Sequence, residues 1–125
     1  MFHKDIKELT KENKNFRVVL ETGEYAQLVV MNIPKGEEIG EETHTKTDQI
    51  LFLVDGEGEV ILNDEATPFK KHQAVYVKAG TKHNFKNTGD TDLKLYTVYA
   101  PPEHKAGTVH KTKEEADLDE EDHHQ

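Results

Sequence analysis

The sequence predicts an all-β domain built as an antiparallel sandwich or barrel. Three observations support this fold class. The chain contains many short runs of β-branched and apolar residues, turn signals separate these runs at regular spacing, and no convincing helix interrupts them. A length of 125 residues corresponds to one domain, which is large enough to close a single core.

The predicted barrel occupies residues 16–100 and follows a polar N-terminal arm, residues 1–15. We expect the arm to be irregular or to form one helical turn. The runs with the length of strands are 16–20, 27–33, 49–54, 59–62, 74–77, 83–85 and 93–99. Turn signals such as Thr22-Gly23-Glu24 separate them, and Pro101-Pro102 stops the last strand because proline cannot donate to a sheet ladder.

Residues 101–125 are predicted to form a C-terminal tail that follows the barrel. Residues 107–110 are expected to be an extended connector. Thr112 and Glu115 have the spacing of a capping box, which predicts that a short helix begins there. The final acidic stretch, residues 118–125, is expected to fray. The tail is therefore expected to be short and acidic, and either helical or disordered.

Composition excludes several classes of function. The formal net charge is −9, which argues against a nucleic-acid partner because phosphate binding needs clustered Lys and Arg. The chain has no cysteine, which excludes thiol nucleophiles, disulfides and iron–sulfur clusters. No apolar run approaches the roughly 20 residues that span a bilayer, and the N-terminus lacks a signal-peptide hydrophobic region. We expect a soluble cytoplasmic protein without a membrane partner.

One pair of stretches carries the candidate chemistry. Glu42 and His44 are two residues apart in a predicted extended strand, so their side chains share one face. His83 lies in a later strand-like stretch that opens after a glycine turn. If the two strands are neighbours, a carboxylate and two imidazoles converge. That donor set is typical of a divalent metal site with two histidines and one carboxylate.

The spacing of these residues resembles that of the cupin family, whose members fold as a double-stranded β-helix, or jelly-roll barrel. The resemblance covers roughly Phe16 to Tyr99. The family's first motif contains a glycine, a His-x-His pair, a glutamate and a second glycine. Its places are matched in order by Gly36, Glu42, His44, Gln49 and Gly56.

The family's second motif is matched by Gly80, His83 and Asn87. Lys78 stands where proline is usual, and His72 stands where the motif normally opens with glycine. Neither departure touches a ligand position. The resemblance therefore implies a small single-domain cupin with a variant metal-binding motif.

The resemblance also implies a ligand set of Glu42, His44 and His83, with Gln49 as a fourth member. Glu42 replaces the first histidine and Gln49 replaces the glutamate, so the set keeps one negative charge. A Gln carbonyl oxygen is a weak neutral ligand. Gln49 either coordinates the ion or hydrogen-bonds Glu42 without contacting the ion. The implied cofactor is a divalent metal ion, which is Fe, Mn, Ni or Zn.

The remaining histidines are expected at the surface. His104 and His110 follow the last strand and could fold back over the barrel mouth, but the favoured expectation is that both are exposed. The others, expected to be solvated, are His3, His72, His123 and His124. Asp48 should point away from Gln49 and serve a structural role. Among the aromatic residues, Phe85 shares a face with His83 and is the favoured lining residue of a ligand pocket.

Two functions from different classes fit these residues. The first is a metal-dependent enzyme acting on a sugar-like, carboxylate or enol substrate by oxygenase, isomerase or lyase chemistry; the sequence assigns no catalytic residue. Residues 101–113 also resemble the tails of small bacterial members described as mannose-6-phosphate isomerase-like. The alternative is a non-catalytic small-ligand-binding or regulatory module, which the substituted ligand positions favour.

The strand 28–33 is apolar on both faces and, with the family's habit, predicts a homodimer.

Overall fold

A computed structural model of the chain describes residues 1–119. Over this range the chain forms nine strands and two short helices. In chain order they are α1 (Ile6–Glu12), β1 (Arg17–Thr22), β2 (Gln27–Ile33), β3 (Asp48–Asp55), β4 (Gly58–Leu62), β5 (Glu65–Phe69), β6 (Ala74–Val77), β7 (His83–Asn87), β8 (Leu93–Ala100), β9 (Val109–His110) and α2 (Lys113–Leu118).

The strands form two antiparallel sheets that share one apolar core. The larger sheet has the order β6-β3-β8-β2-β1-β9, and the smaller has the order β5-β4-β7. The core draws Met31 and Leu51 from the larger sheet and Val60 and Phe85 from the smaller one. Burying each such side chain contributes about 1.5–3 kcal/mol. The predicted all-β jelly roll is confirmed.

Strand β2 shows how the alternation of side chains builds this core. Val29, Met31 and Ile33 point inward and are 0 % exposed. Val30, on the opposite face, is only 1 % exposed within the single chain. The apolar outer face at Val30 is therefore covered without a second copy, so this strand alone no longer argues for a homodimer.

The N-terminal arm contains a helix of seven residues, more than the single turn or irregular segment expected from the sequence. The Asp5 side chain caps it by accepting a hydrogen bond from the Glu8 backbone N–H at 3.0 Å. The helix packs on β3 and β8. None of the described helices is long and apolar enough to cross a membrane.

The segment that carries Glu42 and His44 is not a regular strand, so that expectation was wrong. Residues 34–47 run beside β7 and pair with it at two isolated bridges, Glu38 with Lys86 and Glu42 with His83. Gly36 and Gly40 have φ angles of 79° and 111°, which interrupt extended backbone. The segment nevertheless keeps Glu42 and His44 beside β7.

The C-terminal tail joins the larger sheet. Strand β9 pairs with β1 through Arg17 and His110, and Thr112 Oγ1 caps α2 by accepting from the Glu115 backbone N–H at 3.1 Å. The predicted helix start is confirmed. The predicted fraying at residues 120–125, with His123 and His124, lies outside the described residues.

His110 is 2 % exposed, so its expected surface position was wrong. Arg17 Nη1 lies 3.2 Å from His110 Nδ1, and His110 Nε2 lies 2.9 Å from Asp119 Oδ2. A guanidinium can only donate, so Nδ1 accepts and the Nε2–H donates to Asp119. This Arg17–His110–Asp119 chain ties the tail to the first strand.

Candidate metal centre

Three of the predicted ligands meet at one point. The donor atoms of Glu42, His44 and His83 lie within 4.8 Å of one another. His44 and His83 are 4 % and 3 % exposed, and Glu42 is half-buried. The two imidazole ring centroids are 5.1 Å apart. The convergence expected from the spacing is confirmed, although residues 34–47 reach the site as an irregular segment.

Backbone hydrogen bonds hold the ligand-bearing segment against β7. Glu42 N–H donates to the His83 carbonyl, and His83 N–H donates to the Glu42 carbonyl, both at 2.9 Å. The Gly80 N–H donates to the His44 carbonyl at 2.8 Å. The motif glycine at position 80, with φ of 87°, therefore makes the turn that brings β7 back to His44.

The hydrogen bonds of His83 direct one lone pair into the site. Its Nδ1 lies 2.8 Å from the Thr81 carbonyl oxygen, which can only accept, so Nδ1 carries the hydrogen. Its Nε2 is buried and has no hydrogen-bond partner among residues 1–119. Leaving a buried polar atom unsatisfied costs about 1–3 kcal/mol. A metal ion at this position would satisfy it, so the residues present fit a divalent cation.

His44 lies between two carboxylates. Its Nε2 is 3.8 Å from Glu42 Oε1, and its Nδ1 is 3.5 Å from Glu103 Oε2. Burial alone would lower the pKa of His44, but the Glu103 hydrogen bond and the negative charges of Glu42 and Glu103 outweigh it, so the pKa is raised. The pKa of His83 is lowered because burial outweighs the Thr81 hydrogen bond and the Glu42 charge.

The Gln49 side chain makes one hydrogen bond through its nitrogen and leaves its oxygen without a partner among residues 1–119. Its Nε2 donates to Thr97 Oγ1 at 3.2 Å, and this bond takes the place of the expected alternative in which Gln49 hydrogen-bonds Glu42. Its Oε1 is buried without a hydrogen-bond partner in the part of the chain that the structure describes. A carbonyl oxygen of this kind is the group that a cation attracts.

The tail brings two residues to the site that sequence reasoning missed or misplaced. Glu103 and His104 are 8 % and 9 % exposed, so the expected surface position of His104 was wrong. The Gln27 side chain is the physical reason. Its Oε1 accepts from the Glu103 and His104 backbone N–H groups at 3.2 and 3.0 Å, and its Nε2 donates to the His104 carbonyl at 2.7 Å.

The aromatic residues near the site are distributed differently from the expectation. Phe85 is 1 % exposed and belongs to the core, where its ring lies 5.7 Å from Phe69 and 6.2 Å from His83. Tyr99 lies edge-on to His44 at 6.0 Å and to His104 at 4.9 Å.

Asp48 has the structural role expected of it. Its carboxylate accepts from Tyr76 Oη at 2.6 Å and from the Ala79 backbone N–H at 2.8 Å. These hydrogen bonds lower the pKa of Asp48. They also fix the end of β6, which lies beside β3 in the sheet.

Comparisons with known proteins point to one family. A family model described as "Cupin domain" matches residues 29–99, more than half of the chain. The uncharacterized protein YrkC of Bacillus subtilis is 43 % identical over 118 residues, which cover 90 % of this chain and 63 % of YrkC. An oxalate-binding protein of Thermotoga maritima is 31 % identical over 68 residues, covering 54 % of this chain and 56 % of that protein. This chain thus spans less than two thirds of both relatives.

A solved structure is similar over nearly the whole chain. The crystal structure of BH2720 from Bacillus halodurans has a TM-score of 0.91 and 41 % sequence identity, and the match covers 92 % of each chain. The similarity therefore extends beyond the barrel.

The pKa of His44 is raised and that of His83 is lowered, so the His83 ring should lose its proton at a lower pH than the His44 ring. In protein stripped of metal, His44 should titrate above the ordinary imidazole value of about 6.5 and His83 below it. Near that pH the His44 ring is mostly protonated because of its carboxylate neighbours, and the His83 ring is mostly neutral because it is buried. NMR titration of the ring protons measures both values. The reverse order would contradict the described site.

Proposed function

Because this chain belongs to the cupin family, we propose that it binds a divalent metal ion and acts on a small organic molecule that carries a carboxylate. The observation that carries the proposal is the convergence of Glu42, His44 and His83 around a buried imidazole nitrogen that lacks a hydrogen-bond partner in residues 1–119. Two imidazoles and one carboxylate are a donor set for Fe, Mn, Ni or Zn.

Each residue of the centre has a distinct part in this proposal. Glu42 supplies the anionic ligand, and His44 and His83 supply neutral nitrogens through Nε2. Gln49 Oε1 is the proposed fourth ligand, since it is buried and unsatisfied among the described residues. When bound, a divalent ion supplies a Lewis acid that polarises a carbonyl or carboxylate oxygen.

One buried cation, Arg17, lies among the charges that act on the centre and supports an anionic substrate. Arg17 is 6 % exposed, and its guanidinium carries a positive charge. Its charge opposes the raised pKa of His44, so it acts within electrostatic reach of the centre. Its side-chain hydrogen bond goes to His110 Nδ1. A buried cation of this kind favours a carboxylate substrate, and the similarity to an oxalate-binding protein supports the same class.

The proposal predicts that metal binding depends on the three converging side chains. Wild-type protein should bind one divalent ion per chain, and Glu42→Ala or His83→Ala should weaken binding by at least about 100-fold, since each removes a direct ligand. Isothermal titration calorimetry with Mn²⁺, Ni²⁺ and Zn²⁺ measures the affinities. His3→Ala, at an exposed position, is the matched control and should bind as wild type. Equal affinities in all four proteins would refute the centre.

The alternative function is a non-catalytic module that holds a small ligand. It is favoured by Gln49, a neutral side chain at the place where the family motif has a glutamate. Metal-loaded protein should be screened for turnover of oxalate, other small carboxylates and sugar phosphates, with Glu42→Ala as the control. Turnover lost in Glu42→Ala supports the enzyme. Ligand-induced increases in melting temperature without turnover support the module. An isomerase-like activity and a cytoplasmic location stay predictions from the sequence.

We also propose that the chain forms a homodimer through the outer face of the larger sheet. Four side chains lie side by side across β6, β3, β8 and β2 on that face, and none is buried: Tyr76, Ile50, Val98 and Leu28. Light scattering at micromolar concentration should give twice the mass of the 14.3 kDa chain, and Val98→Lys should halve it. A monomeric wild type would contradict the proposal.

A further inference from the structure

Glu103 contacts the side of His44 that faces away from Glu42. Its Oε2 lies 3.5 Å from His44 Nδ1, whereas Glu42 Oε1 lies 3.8 Å from His44 Nε2. Glu103 is outside the group of donors that lie within 4.8 Å of one another. It is therefore placed to act on a ligand rather than to be one.

The surrounding structure fixes the Glu103 carboxylate. The Glu103 backbone N–H donates to Gln27 Oε1 at 3.2 Å, and Thr47 Oγ1 lies 3.4 Å from Glu103 Oε1. Gln27 begins β2, and Thr47 immediately precedes β3. A contact from the start of β2 and a contact from the residue before β3 thus hold Glu103, and its 8 % exposure leaves the carboxylate little contact with water.

The geometry assigns a hydrogen to His44 Nδ1. An ionised carboxylate can only accept, so in a neutral ring Nδ1–H donates toward Glu103 and Nε2 keeps its lone pair toward Glu42 and His83. The Thr81 carbonyl does the same for His83. Both rings then present Nε2 to the centre. The Thr81 carbonyl orients the His83 ring, and the Glu103 carboxylate orients the His44 ring.

We propose that Glu103 is a positioning residue, which fixes the tautomer and orientation of His44 so that Nε2 faces the cation of the centre. The metal part of this inference rests on the proposed function. The His44 tautomer does not depend on the proposed function, because the Glu103–His44 contact exists without a metal. Residues that orient a metal-bound histidine typically contribute about 10–100-fold to metal affinity.

The test starts with metal-free protein at an alkaline pH above the titration of His44, whose pKa is raised, so that its ring is neutral. Long-range proton–nitrogen NMR correlations of the histidine rings report which nitrogen carries the hydrogen. Wild type should show His44 with Nδ1–H, and Glu103→Ala should lose this preference. Glu103→Gln should keep it, because the amide oxygen still accepts. Glu114→Ala, an exposed residue of the same tail, should match wild type.

Metal affinity is then measured by calorimetry on the same proteins. Glu103→Ala should bind about 10–100-fold more weakly than wild type, and Glu103→Gln should fall between them because it keeps the contact without the charge. Glu114→Ala should be unchanged. Should Glu103→Ala fail to fold, Glu103→Gln carries the test, and affinity equal to wild type would overturn the inference.

The outcomes separate this inference from the proposed function. An unchanged His44 tautomer in folded Glu103→Ala would overturn the positioning role, whatever the affinities are. A tautomer lost in Glu103→Ala, in a protein whose wild type binds no metal, would support the Glu103–His44 contact and overturn the proposed function.

Discussion

Two backbone hydrogen bonds join Glu42 and His83 in both directions at 2.9 Å, and this pair holds the segment that carries Glu42 and His44 against β7. Residues 34–47 lack the continuous ladder of a strand, so they are held by separate contacts along β7. The Ile39 N–H donates to the Phe85 carbonyl, and the Asn87 N–H donates to the Glu37 carbonyl, both at 2.9 Å. An irregular segment pinned in this way can turn its side chains inward without the strict alternation of a strand.

The interior of the barrel carries polar groups whose burial opposes folding. The unsatisfied oxygen of Gln49 and the unsatisfied nitrogen of His83 are buried in the described part of the chain, and the Arg17 guanidinium is charged. Sites that hold such groups in place for a ligand generally lower the stability of the folded state. A bound cation would restore part of that stability, since a ligand present at 100 times its Kd stabilises the folded state by about 2.7 kcal/mol. Folding and metal binding would then stabilise each other.

The strands that the sequence predicted are those whose apolar residues alternate or run together, as in β2, β3 and β8. Strand β5 was not predicted because it is an edge strand that contains Pro68 and buries only Phe69, which leaves almost no periodic signal. The centre itself followed from spacing, since Glu42 and His44 are two residues apart and His83 follows a glycine turn. Glu103, His104 and His110 were not predictable in this way. Their burial depends on Gln27 and Arg17, which are distant in sequence. The sequence offered one signal of this burial, which is the polar residue Gln27 at the start of an apolar strand.

We propose that a divalent cation binds where Glu42, His44 and His83 converge. The most direct measurement is anomalous diffraction from crystals soaked in Mn²⁺ or Zn²⁺, recorded at the absorption edge of the metal. We expect one strong peak at roughly 2.0–2.2 Å from a Glu42 carboxylate oxygen and from the Nε2 atoms of His44 and His83. A fully soaked crystal with no peak there, or with peaks only at surface carboxylates, would contradict it.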